Sequence, residues 1–206
     1  MKNTLLDLES KMRLAKSPLI EIANKGQRPD AIKASFDSIG LIPTNELIDL
    51  YEWHDGVDIS RNYYVNFFGK NGNWLPLKEA IKNYKAFYMD STEEEWFMIE
   101  NEAVGKYLFP ISHDDDFLVF LKPDSKYYGA VFTVSPGLLI IQPRMIFDSL
   151  EKMCVSIAAC YRLGHYSTIQ KPDGYYDEHL DFHASFDVFK KYNPISEYWK
   201  RERLVE

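Results

Sequence analysis

Between Trp96 and Gln142 the chain is a succession of short apolar runs separated by turn residues, with amphipathic helical patterns on both sides of that block. This arrangement constrains the fold more than any other feature. Phe117-Leu-Val-Phe-Leu121 is continuously apolar, as a strand covered on both faces is. Pro123-Asp-Ser-Lys126 and Pro136-Gly137 read as turns, and Tyr107–Ile111, Tyr127–Val134 and Leu138–Gln142 as further strands. Alternation within Tyr127–Val134 puts Tyr128, Ala130, Phe132 and Val134 on one face. Connections this short cannot carry a crossover, so neighbouring strands are predicted antiparallel.

The flanking segments have helical periodicity. Leu5, Leu8, Met12 and Ala15 recur at helical spacing in a first helix that ends before Pro18. Pro29 suits the first turn of a short helix through about Ser38, closed by Gly40. Thr44 is placed to cap a helix running to about His54, with Leu47, Ile48 and Tyr51 inward, Glu46, Asp49 and Glu52 on the other side, and Gly56 expected to end it. Asn62–Phe68 is rich in aromatics and reads as a strand. Leu75-Pro76 opens a helix whose stripe is Leu77, Ile81, Tyr84 and Tyr88, followed by an acidic loop at Asp90–Glu95. Met145–Leu163 carries the strongest helical signal, through Ile146, Phe147, Leu150, Met153, Cys154, Ile157 and Tyr161, and Gly164 ends it. Asp177–Arg201 is predicted to hold one or two helices broken by Pro194. The expected fold is α+β: a mainly antiparallel (mixed) central sheet covered by helices, forming a single domain over residues 1–206 with an N-terminal helical extension over about residues 1–28.

The chain of 206 residues has 24 Lys and Arg against 31 Asp and Glu, a net charge of −7, and is 46 % apolar, which is ample for a core and excludes a disordered chain. The acidic balance argues against a nucleic-acid partner, which calls for a Lys/Arg surface, and favours a basic one. Asp148, Glu151 and Lys152 interrupt Met145–Leu163, so it is not read as a membrane span. The first ten residues carry charges within their apolar stretch and no small-residue cleavage site, unlike a signal peptide, so a cytoplasmic location is expected. Cys154 and Cys160 are six residues apart, about 600° of helical rotation, and cannot bridge there; they read as reduced core residues.

Ile39-Gly-Leu-Ile-Pro43, followed by Leu47-Ile-Asp-Leu-Tyr51 and Asp55-Gly56, resembles the opening signature of the SUKH superfamily, in which a Gly-hydrophobic-hydrophobic-Pro step leads into a helix ending in a "dG" or "nG" turn. Further landmarks are similar: the aromatic strand Tyr63–Phe68, Trp74-Leu-Pro-Leu77 before a helix, Phe109-Pro-Ile111, the acidic turn His113-Asp-Asp-Asp116, the strand Phe117–Leu121, its hairpin partner Gly129–Val134, a long helix, and Asn193-Pro194 followed by Trp199. The resemblance covers about Ile39 to Trp199. Two departures concern the subfamily rather than the fold. The small-residue and Ser-Phe start of the family's long helix appears here only as Gln142-Pro-Arg-Met-Ile-Phe147, and the N-terminal helix is longer than the signature requires. What the resemblance implies is an immunity protein that binds and neutralises a toxin domain of a polymorphic toxin system, or, as in the fungal branch, a regulator of cell-wall synthesis acting through protein partners.

Three clusters carry candidate chemistry. His113-Asp114-Asp115-Asp116 offers oxygen ligands to a divalent cation but lacks the Gly and distal Glu of a calcium loop; it reads otherwise as a solvated turn or as an acidic rim for a basic partner. His179 and His183 share a face if their segment is helical, with His165 as a third donor, yet Leu180 stands where the zincin pattern needs Glu. No G-x-S-x-G, phosphate loop or G-x-G-x-x-G is present, the two cysteines lie in an apolar helix, and spacing singles out no pair among the 31 acids. Trp53, Tyr63, Tyr64 and Trp74 cluster around turns near Asp55-Gly56, which suits either the core or a protein interface. The expected binding set is Trp53, Asp55, Trp74, Asp114, Asp115 and Asp116. The expected partner is a basic toxin domain, with no enzymatic role, no cofactor and no metal. The alternatives are a regulatory scaffold without a toxin and, behind it, a metal-dependent hydrolase.

Overall fold

A computed structural model describes residues 1–58, 63–64, 73–89, 97–100, 102–112, 117–135, 140–172 and 176–200. Helix α1 (Lys2–Leu14) buries Leu5, Leu8 and Met12 in the common core, so the segment expected as an extension is packed into the body of the protein. A one-turn helix α2 (Leu19–Ile22) leads to β1 (Ala23–Lys25). Helix α3 (Pro29–Asp37) has Pro at its first position, where a missing N–H removes no helical bond. Helix α4 (Asn45–Trp53) begins where Thr44 Oγ1 accepts the Leu47 N–H at 3.1 Å.

Helix α4 stops at Trp53, within a residue of the expected end, and His54–Val57 continues as β2, antiparallel to β1. Gly56 lies within that strand at φ +66°. A Cβ there would sit 2.3 Å from the Pro76 nitrogen and 2.4 Å from the Leu75 carbonyl carbon, so glycine is what lets the two segments touch. Strand β3 is Tyr63–Tyr64; the rest of Asn62–Phe68 lies outside the described residues, as does Asp90–Glu95. Helix α5 (Leu77–Phe87) buries Leu77, Ala80 and Tyr84, and Tyr88 just beyond it.

The hairpin β4 (Met98–Ile99) and β5 (Glu102–Ala103) precedes the main sheet of β6 (Leu108–Pro110), β7 (Phe117–Phe120), β8 (Val131–Ser135) and β9 (Ile140–Phe147). These four are antiparallel in sequence order, and all of β7 is buried. Residues 145–147, read above as the start of the long helix, are strand: Met145 pairs with Phe132 and Phe147 with Val131. An apolar Met-Ile-Phe fits a helical stripe and a buried strand equally. The helix α6 (Leu150–Arg162) starts only where Ser149 Oγ accepts the Lys152 N–H at 3.2 Å.

A second correction falls at residues 176–180. They form β11 (Tyr176–Leu180), antiparallel to β10 (Tyr166–Gln170) and parallel to β3, rather than helix. Glu178 and Leu180 point in and His179 points out, a period of two. Helix α7 (Phe182–Tyr192) begins after Asp181, whose carboxylate accepts the Ala184 N–H.

The C-terminal segment closes the β9 edge of the main sheet. Trp199, fully buried in a 3-10 turn (Glu197–Trp199), donates its indole N–H to the Ile146 carbonyl at 2.5 Å, and Ser196 Oγ donates to the Met145 carbonyl at 2.8 Å. Asp148 accepts the Ile195 and Ser196 N–H groups, and the Asn193 amide oxygen accepts the Asp148 N–H. Trp199 also stacks on Phe189 with centroids 4.8 Å apart. Edge carbonyls that would otherwise invite another strand are thus taken up within the chain.

Candidate partner-binding surface

Asp55 is the hub of the junction between β2 and α5. One carboxylate oxygen accepts the Leu77 N–H at 2.7 Å, supplying the cap that Pro76 lacks; the other accepts the Gln27 amide at 2.7 Å. Its carbonyl accepts from the Asn24 side chain. Both carboxylate oxygens therefore serve the fold. Trp74, fully buried, stacks on Trp53 (centroids 5.8 Å, planes 24° apart) and lies near Tyr51. A side chain with no exposed surface contacts no partner, so Trp74 leaves the binding set and joins the core. Asp114, Asp115 and Asp116 lie outside the described residues.

Trp53, by contrast, is half-buried and lines a surface hollow. It ends α4, and its indole N–H donates to Glu9 Oε2 on α1 at 2.8 Å, which fixes the ring. That hydrogen bond, and then Arg13, hold the Glu9 carboxyl below the usual glutamate range. The hollow, of about 230 Å³, is bounded by Lys2, Leu5 and Leu6 of α1 and Asp49, Glu52 and Trp53 of α4. Both stripes have helical i, i+3, i+4 spacing, so each helix presents one continuous edge. Leu6 is 62 % exposed although its neighbours Leu5 and Leu8 are buried. The Lys2 ammonium is 2.7 Å from Glu52 and 4.0 Å from Asp49; its hydrogen bond to Glu52 raises its pKa. The sequence reading placed Asp49 and Glu52 on the outer side of α4 but missed Lys2, Leu6 and Glu9, because nothing local pairs α1 with α4.

A larger groove, about 480 Å³, lies between the β4–β5 hairpin, β9 and the C-terminal turn. Its rim is of mixed sign, with Lys126 paired to Glu100 and Lys200 to Glu197.

His179 sits in β11 and His183 in α7, so the helical i, i+4 pair is not formed. Among the described residues no three metal-ligating side chains gather. Cys154 and Cys160 are buried and free; burial drives the Cys154 thiol up strongly and pushes Cys160 up to about 11, so both are protonated at neutral pH. No helix among the described residues is long and apolar enough to cross a membrane. No protein-family model matches the chain, and no curated protein matches it.

Proposed function

We propose that this protein is an immunity-type binding module, similar to the SUKH family, that captures a basic toxin domain in the cytoplasm and blocks its active site by occlusion. The observation that carries the reading is the half-buried Trp53 over an apolar hollow with an acidic rim, on the surface of a chain with net charge −7. A fixed aromatic ring with partial exposure is what interface hot spots are made of. The excess of carboxylates accelerates encounter with a cationic partner, and burial of the ring and of Leu6 slows its release. The test is to co-express the chain with the C-terminal domain encoded immediately upstream of it. Rescue of growth together with a stoichiometric complex is the expected result. A harmless upstream domain, or toxicity that persists, overturns the immunity reading in favour of a regulatory scaffold.

A further inference from the structure

We propose that the α1–α4 hollow receives a Lys or Arg side chain of the partner, and that Lys2 stands in for it in the free protein. The proposal rests on the basic-partner reading and adds the recognition chemistry. The hollow has two unlike parts. Its floor of Leu5, Leu6 and Trp53 is apolar, which suits a methylene stem; its rim of Asp49 and Glu52 is anionic, which suits the charged end of the same side chain. Only Lys and Arg combine the two.

The site already holds an ammonium. Lys2 reaches over the rim from the first turn of α1, hydrogen-bonded to Glu52 and at the edge of ion-pair distance from Asp49. Its side chain is 64 % exposed, so this is a surface ion pair of the kind that contributes little and exchanges readily. Asp49 also lies 3.8 Å from the Met1 ammonium, and so is shared rather than saturated. An incoming guanidinium brings a planar fork of donors that can bridge two carboxylates, where Lys2 hydrogen-bonds one. It also gains the face of a ring whose position Glu9 has fixed. Lys2 is therefore a competitor: it keeps the carboxylates paired until a partner displaces it.

The test uses N-acetyl-arginine amide as the probe and its uncharged isostere N-acetyl-citrulline amide as control, followed through the Trp53 indole N–H resonance. Arginine amide is expected to shift that resonance saturably, and citrulline amide to leave it in place. Lys2→Gln should tighten the probe by about two- to five-fold, and Glu52→Gln should loosen it by a similar factor, the range of a single exposed ion pair. The Lys2 side chain is 64 % exposed, so its replacement by Gln is expected to leave the fold intact. Equal shifts with the two amides, or weaker binding by Lys2→Gln, overturns the proposal. Failure is separable from failure of the module reading. Capture of the upstream domain with unchanged affinity in Lys2→Gln and Glu52→Gln removes the hollow but keeps the module. A saturable arginine site in a protein that rescues no toxicity keeps the hollow but removes the module.

Discussion

Trp199 and Trp53 are chemically alike in their settings and opposite in their consequences. Each stacks on another ring and each spends its indole N–H on an oxygen. Trp199 donates to a main-chain carbonyl of β9 and is sealed beneath α7; Trp53 donates to a carboxylate on the surface and is left half open. The acids around them differ in the same way. Asp148 commits both oxygens to main-chain N–H groups of the C-terminal segment, while Asp49, among the described residues, faces two ammonium groups at about 4 Å. One region is finished internally and the other is not. A tryptophan that closes an edge is structural, and one held rigid but exposed beside acids is available to a partner.

The comparison breaks if the two tryptophans cost the same. Trp199→Ala is expected to lose about 3–5 kcal/mol in denaturant unfolding, the scale of a buried aromatic deletion, and to open the β9 edge to aggregation. Trp53→Ala should lose only about 1–2 kcal/mol, since part of its surface is already wet, yet weaken partner binding by roughly 2 kcal/mol or more. Similar unfolding losses would erase the distinction between the regions.

Asp55→Ala sharpens the comparison at the junction with α5. Loss of the cap on the Leu77 N–H and of the Gln27 contact should cost about 1–2 kcal/mol of stability with partner affinity unchanged. A large loss of affinity in a folded Asp55→Ala protein would return Asp55 to the binding surface.

The smallest effect concerns Glu178 of β11, fully buried against Tyr161 of α6. Burial raises its carboxyl above the ordinary 4.5, against the Ser17 and Tyr161 hydroxyls, which hydrogen-bond to it and pull it down. The folded chain therefore holds its proton more tightly than the unfolded chain. The stability this contributes is full below about pH 4.5 and is lost as pH rises through the folded value. Glu178→Gln, which keeps the acceptor for Tyr161, should match the wild type near pH 4 and exceed its thermal midpoint at pH 8. A variant less stable than wild type at pH 8 would show that the buried charge supports the fold.

Much of the fold was legible because caps and turns are local. Thr44, Pro29 and the apolar run at Phe117 act through residues a few positions away, and they appear where the pattern places them. The errors arose where the competing state was decided at long range. Met145–Phe147 are strand because Val131 and Phe132 pair with them, and Tyr176–Leu180 are strand because β10 lies alongside. The proposed binding surface was less legible still. Trp53 was singled out by its chemistry, but Trp74 and Asp55 share that chemistry and are spent inside, one as core and one as a cap. Lys2, Leu6 and Glu9 become neighbours of Trp53 only when α1 packs beside α4.

The most direct test of the α1–α4 face as the docking surface is hydrogen–deuterium exchange of the protein, alone and with the domain encoded immediately upstream. Slowed exchange over residues 2–9 and 45–53, with β6–β9 and the C-terminal segment unchanged, is the predicted footprint. Protection centred on the β9 edge or the C-terminal segment, or none at all, would contradict it.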